Sequence, residues 1–296
     1  MKELAASGES ASKKQAHPIT FEEEDELWQK GLLATDTPRK LLDTLIYLIG
    51  LHFALRAGKE HKQLRFSPNP QITMNITKDG KRFLRYIEDI SKTHQGGLRH
   101  RKIPAKTVDA YENTELPERC IVNVYEMYLS HRPTLPKCST SLYLRPLQNK
   151  STLSQAWYSC QPHGIHPLTK TVNRLCLAAG FEGFRSNHSL RASAASRLYQ
   201  QGFDEQLICE TTGHRSNAVR GYKRTTAAQK LDISNAISGS NGGEKRARIG
   251  PSETITRPQE ADSTISNPSE STSVPSVMDS SGTSRSVQVT VTVKLD

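Results

Sequence analysis

The amino-acid sequence predicts an α+β fold, mostly helical, with one small antiparallel sheet and a disordered tail. Three observations predict it. Apolar residues recur at helical spacing in several separate windows, and the period drops to two between Gln71 and Ile103. After about Ser238 the composition shifts to Ser, Thr, Pro and Gly, which cannot bury enough apolar surface to pay for ordering.

Residues 1–19 read as a polar, disordered leader. Thr20-Phe21-Glu22-Glu23 is a capping box and predicts a short acidic helix through Lys30. Asp36-Thr37-Pro38 supplies a cap and a first-turn proline to the strongest element, in which Leu41, Leu42, Leu45, Ile46, Leu48, Ile49 and Phe53 form a broad apolar stripe. Gly58 is expected to end that helix. Ile72, Met74 and Ile76 alternate with polar residues, Asp79-Gly80 is a hairpin turn, and residues 82–90 form a second strand. Gln95-Gly96-Gly97 then turns the chain into a third strand over 98–103. From Pro117 a helix carries Ile121, Val124, Tyr125, Tyr128 and Leu129 on one side, followed by a short strand over 141–144. Three further helices, 168–179, 187–201 and 204–212, each stop at a glycine: Gly180, Gly202 and Gly213. The resulting organisation is a leader at 1–19, one domain over 20–235 and a Ser/Thr-rich tail at 236–296.

The 296 residues carry a formal charge of +10. From Ala236 onward there are six Lys or Arg against seven acids, so the whole excess lies upstream, in the folding part. Such a surface attracts phosphate, which points to nucleic acid or an anionic surface as partner. A membrane span is excluded, since the longest apolar stretch, residues 41–55, is too short and contains Asp43 and His52. Met1-Lys2-Glu3 leads into a polar segment without an apolar signal region, so an intracellular protein is expected. The five cysteines are scattered without Cys-x-x-Cys spacing, which predicts reduced thiols.

Several motifs offer chemistry for an anion. Asn187-His188-Ser189-Leu190-Arg191 places His188 and Arg191 on one helix face. Thr212-Gly213-His214-Arg215-Ser216 sets His214 just past a helix end. Eight residues after His214 lies Tyr222, within Arg220-Gly221-Tyr222-Lys223-Arg224. Arg215, Arg220, Lys223 and Arg224 are the cations suited to contact DNA phosphate there. Upstream, Arg56 leaves the end of the long apolar helix, and Lys92 in Ser91-Lys92-Thr93 sits at a hairpin, with Lys81 and Lys102 as nearby competitors.

This ordered set of Arg, hairpin Lys, His-x-x-Arg, Gly-His and Tyr resembles the signature of the tyrosine recombinase family, the phage integrases and their relatives. More closely, Gly50-Leu51-His52-Phe53-Ala54-Leu55-Arg56, Ser91-Lys92-Thr93-His94-Gln95-Gly96-Gly97-Leu98, Trp157-Tyr158-Ser159-Cys160-Gln161-Pro162 and Thr212-Gly213-His214-Arg215-Ser216 resemble the Crypton-derived recombinase-like domain. That domain occurs in Crypton transposons and at the C-terminus of MYM-type zinc-finger and glutamine-rich nuclear proteins. The resemblance covers residues 20–235.

The resemblance implies a mostly helical recombinase core, a nuclear location, double-stranded DNA as partner, a homo-oligomer on DNA, and strand cleavage and rejoining without metal or cofactor. It makes Tyr222 the nucleophile that forms a 3′-phosphotyrosyl link and frees a 5′-hydroxyl. Arg56 and Arg191 would clamp the non-bridging oxygens, Lys92 would protonate the leaving oxygen, His188 would move the proton of the nucleophile and His214 would hydrogen-bond the phosphate. The eight-residue spacing from His214 to Tyr222 is one shorter than usual in the integrases, which puts in-line attack by Tyr222 in question. About 35 residues precede the helix leading to Arg56, so the usual second half of a DNA clamp is not expected, and binding should be weak and strongly salt-dependent. A second reading keeps the fold and basic surface but not catalysis: a domesticated nuclear module that binds DNA or chromatin in transcription regulation.

Cys160, His163 and His166, with Cys138, have the residue types of a metal site, but no structural zinc spacing, and no metal is expected. Glu244-Lys245-Arg246-Ala247-Arg248 has the character of a short nuclear-import signal.

Overall fold

A helix apolar around most of its circumference has little face to leave in water, so other elements must surround it. Helix α2 (Pro38–His52) is that helix. In the computed structural model, which describes residues 16–89, 105–134, 138–148, 156–214, 217–223 and 227–238, every α2 residue from 41 to 51 is buried. Thr37 Oγ1 caps its start by accepting from the Lys40 amide at 3.3 Å. The described residues all belong to the first of two units, Met1–Gly242; the second, Gly243–Asp296, and with it the expected tail signals lie outside them.

Helix α1 (Phe21–Gln29) opens on the expected capping box, Thr20 Oγ1 accepting from Glu23 N at 3.2 Å and Glu23 Oε2 from Thr20 N at 3.1 Å. The end of the segment read as a leader is built into the fold. Ala16 and Ile19 are buried, and Ile19 N donates to Ser193 Oγ at 2.7 Å. Helix α2 stops at His52, six residues short of Gly58. Gly58 instead begins α3 (Gly58–Gln63), because the backbone passes so close to Thr169 that an added Cβ would lie 1.9 Å from its Cγ2. Glycine is required there for proximity and not as a helix stop.

Strands β1 (Ile72–Ile76) and β2 (Arg82–Ile87) form the expected antiparallel hairpin, Ile72 opposite Tyr86. β2 pairs on its other side with β3 (Thr107–Tyr111), a strand beyond the one expected over 98–103. Residues 98–103 lie outside the described residues. After α4 (Ile121–Ser130) a second, two-stranded sheet appears where one sheet was expected, made of β4 (Leu144–Pro146) and β5 (Tyr158–Pro162). Neither strand is long enough to show a period.

This short hairpin also corrects the thiol reading for two of the five cysteines, while Cys120, Cys176 and Cys209 are free as expected. Cys138 and Cys160 are joined in a disulfide, with Ser139 N donating to the Cys160 carbonyl at 3.0 Å. Cysteine spacing along the chain carries no sign of a pairing that strand β5 brings about in space.

The window 168–179 is split into α5 (Ile165–Thr169) and α6 (Thr171–Ala179), the second ending at Gly180 with φ +83°. Helices α7 (Asn187–Gln200) and α8 (Glu205–Thr212) follow as expected, then a 3₁₀ turn at Asn217–Tyr222 and α9 (Ala227–Ile237). Helix α7 crosses α2 at Gly50, where an added Cβ would lie 2.5 Å from Leu190 Cδ1. That contact brings the His188–Arg191 turn of α7 to the C-terminal end of α2.

Candidate active site

The last carbonyls of a helix have no intrahelical partner and carry the negative end of its dipole, so they attract cations. At the end of α2 two consecutive carbonyls do this: Lys106 Nζ donates to Phe53 O, and Arg191 Nη1 donates to Ala54 O at 2.9 Å. Ala54 holds a left-handed φ of +45°, an unusual conformation for a residue with a Cβ and one that clusters at functional sites. The buried core helix thus fixes two cations side by side, Lys106 from just before β3 and Arg191 from α7.

Arg56, three residues past the helix cap, reaches the same place. Its Nη2 donates to Gly213 O at 3.2 Å, and its Nη1 lies 2.9 Å from Glu60 Oε1 and 3.2 Å from Glu88 Oε1. Beside it opens a cavity of about 1130 Å³ whose rim carries Lys59 and Arg65.

His214 is held by an ordered relay. Thr212 Oγ1 donates to Ile208 O at 2.6 Å, so the His214 Nδ1 that contacts it at 2.7 Å must be the donor. His214 Nε2 is then an acceptor, and Arg191 Nε donates to it at 3.4 Å. Burial first, and then Arg191 and Arg56, press His214 down to about 4, which keeps this neutral tautomer.

Tyr222 closes the group. Its Oη lies 2.9 Å from His188 Nε2, and its ring lies 5.2 Å from that of His214. Its backbone is held by Ser196 Oγ, which donates to Tyr222 O at 2.9 Å. Val219, fully buried against Ala195 and Ile208, anchors the 3₁₀ turn that carries it. The eight-residue spacing from His214 therefore still brings Tyr222 to His188. Burial and then Arg191 hold His188 below 6.5, and burial and then Arg56 push Arg191 down to about 10.

Of the residues singled out in the sequence, Arg56, His188, Arg191, His214 and Tyr222 converge. Lys92, its competitor Lys102, Arg215 and Arg224 lie outside the described residues. Lys81 lies over the Tyr111 ring at 6.0 Å, on the far hairpin. Arg220 pairs with Glu205 at 2.9 Å, and Lys223 lies over the Tyr199 ring at 6.0 Å. Cys160 is committed to its disulfide, and among the described residues no three His, Cys, Asp or Glu side chains form a metal-binding group. No described helix is long and apolar enough to cross a membrane.

Sequence reasoning missed Lys106, Thr212, Glu60, Glu88 and Ser196. Lys106 is the most consequential. It lies 5.8 Å from the Tyr86 ring centre, and burial, then Arg191, lower its ammonium to about 7. Its signal was positional: the last residue before a strand that pairs with β2 is carried to the same end of the sheet as Glu88, and Glu88 N donates to Lys106 O at 2.9 Å.

A family model described as a domain of unknown function, DUF3504, matches residues 18–177. Zinc finger MYM-type protein 2 of Homo sapiens is 32% identical over 169 residues, covering 52% of this chain and 12% of that protein. Transcriptional regulator QRICH1 of Homo sapiens is 30% identical over 160 residues, covering 51% of this chain and 20% of that protein. Among solved structures, the XerH site-specific recombinase bound to palindromic difH substrate, a post-cleavage complex, superposes with a TM-score of 0.52 at 21% identity, over 77% of this chain and 55% of that one. The half-helical architecture with small antiparallel sheets is that of the tyrosine recombinase catalytic domain.

Proposed function

The chain belongs to the DUF3504 family, and from that premise and the recombinase fold we propose that it binds double-stranded DNA and cuts and rejoins a strand through Tyr222. The observation that carries this reading is the 2.9 Å contact between Tyr222 Oη and His188 Nε2, made beside Arg191, His214 and Lys106. A neutral imidazole next to a phenol can take its proton. The Tyr222 oxygen then attacks phosphorus, the bond from phosphorus to the 5′-oxygen breaks, and the 3′-phosphotyrosyl link conserves the bond energy for rejoining. Arg191 and Arg56 stabilise the charge that develops on the non-bridging oxygens. An ammonium lowered to about 7 is suited to give the leaving 5′-oxygen its proton, and Lys106 is a second candidate for that role beside Lys92, which lies outside the described residues. The proton lost by Tyr222 and the one gained by the leaving oxygen balance, and no step draws on a cofactor.

A second reading has its own support. Arg56 is already engaged by two carboxylates, and the family match ends at residue 177, before His188, Arg191, His214 and Tyr222. The relatives' names place one of them in transcription regulation. On this reading the chain is a nuclear DNA-binding module, assembled on DNA as a homo-oligomer or within a larger protein, and does not cut.

The two readings separate on a denaturing gel. Purified protein is incubated with a pool of nicked suicide duplexes, and Tyr222→Phe serves as control. A covalent adduct that the variant lacks supports cleavage. Salt-sensitive binding equal in both proteins, with no adduct on any duplex, supports the binding module.

A further inference from the structure

A second cavity, lined by arginines, lies at the opposite end of α2. The helix has 15 residues, so its two ends are separated by about 22 Å at 1.5 Å per residue, and the cavity is distinct from the site around Tyr222. Its volume is about 790 Å³, within the range of small-molecule sites. Arg39, Arg145 and Arg174 line it together with His163 and the first residues of α2.

Asp43, buried beneath, holds two of the three guanidiniums. Its Oδ2 accepts from Arg39 Nε at 3.0 Å and from Arg174 Nη2 at 2.5 Å. One oxygen of one carboxylate satisfies a single N–H of each guanidinium, which has five. Asp43 leaves the remaining donors unused, and the three arginines line a cavity in which three positive charges stand against one negative. The third, Arg145, is exposed on β4. Lys62 adds a fourth cation nearby, donating to the His163 carbonyl at 2.9 Å.

His163 is the feature that a purely structural account leaves unexplained. It is 4% exposed, and neither ring nitrogen has a hydrogen-bond partner. A buried imidazole normally spends its N–H on a neighbour, and leaving the donor unmade costs more than the bond would gain. Burial, then Arg39, Lys62, Arg174 and Arg145, hold it neutral at about 4. A neutral ring offers one donor and one acceptor. An oxyanion carrying a hydroxyl or amine nearby answers both, and the four cations and the positive end of the α2 dipole answer its charge.

The rest of the lining narrows the ligand. Pro38, Pro146 and Pro162 give flat apolar walls, and Gln148 and Gln161 bring amides that both donate and accept. A bare inorganic ion would leave most of that volume unfilled. We propose that this cavity is a binding site for the phosphate and attached nucleoside of a nucleotide. The nucleotide comes either free or as part of a DNA strand, and it is held by Arg39, Arg145, Arg174 and His163.

The test is a calorimetric titration of the full chain with inorganic phosphate, a deoxynucleoside monophosphate and a short duplex, with imidazole NMR signals as second readout. Saturable binding of the mononucleotide at least fivefold tighter than phosphate, with a shifted His163 signal, supports the site with a free nucleotide as ligand. A His163 shift produced by the duplex alone supports it with the strand as source. Arg145→Ala, at an exposed position, should weaken binding at least fivefold with an unchanged melting temperature. Tyr222→Phe should bind as the native chain does, so the result stands apart from the cleavage question. No shift of His163 with any probe, or affinities unmoved by Arg145→Ala, would overturn the proposal.

Discussion

Tyr222 and His188 are 34 residues apart in the chain and 2.9 Å apart in space, with the phenol oxygen on Nε2 of the imidazole. Because burial and Arg191 lower His188 from 6.5, its base form persists in acid beyond the point where a free imidazole would be half protonated. Adduct formation should therefore hold its rate as pH falls through 6.5. His188→Ala should cost on the order of 10²- to 10⁴-fold, the usual value of a positioned general base. A pH–rate profile of the native chain whose acid limb falls off at or above 6.5 would assign the base elsewhere.

Gly213 ends α8 at φ +70°, and a Cβ there would lie 3.0 Å from Lys106 Cδ. Both the backbone and the neighbour resist a side chain. Gly213→Ala should destabilise the chain by about 1–2 kcal/mol in urea unfolding. It should also shift Lys106, since the flexible lysine stem yields before backbone does. Gly180→Ala, at a similar φ of +83° with open space around it, should cost only the backbone part, about 1 kcal/mol.

How far the sequence revealed the site follows from what holds each residue. His188 and Arg191 were legible because a three-residue spacing puts them on one helix face, and Tyr222 because it sits in a short window of cations. The helix stops at Gly180 and Gly213 were legible from backbone chemistry alone. Lys106 was not, because its place depends on where β3 begins, and the pattern between Gln71 and Ile103 gave no sign that the strand would start at Thr107. Gly58 misled because a glycine needed for close approach and one needed as a helix stop are the same letter. The Cys138–Cys160 pairing and strand β5 are products of tertiary proximity that no local period encodes.

Arg56 cannot give its full charge to a phosphate while Glu60 and Glu88 share it. Glu88→Gln removes one competitor while keeping the side chain's shape, so DNA affinity should rise roughly threefold to tenfold at low ionic strength. Arg56→Ala should lower it. Fluorescence anisotropy across a salt series checks both, and the native chain, with its net +10, should show a steep fall of affinity with salt. A Glu88→Gln variant that binds no better, with Arg56→Ala also silent, would remove Arg56 from the DNA surface.

Lys106 links the site to stability. Its ammonium titrates near 7 in the folded chain and at 10.5 in the unfolded one, so between those values the unfolded chain binds more protons. Stability must then rise with pH across that window, because raising pH removes the proton that favours the unfolded state. Below about pH 7 both states hold the proton and this contribution to the slope vanishes. Lys106→Met removes the titration and keeps an unbranched stem against Tyr86. The native chain should gain about 3–4 kcal/mol over the variant between pH 7 and pH 10, read from paired urea melts, the difference cancelling other groups that titrate in both proteins. Parallel curves would mean that Lys106 keeps its proton throughout. In that case no lowered pKa singles Lys106 out as the proton donor to the leaving oxygen, and Lys92 is the first alternative to test by substitution.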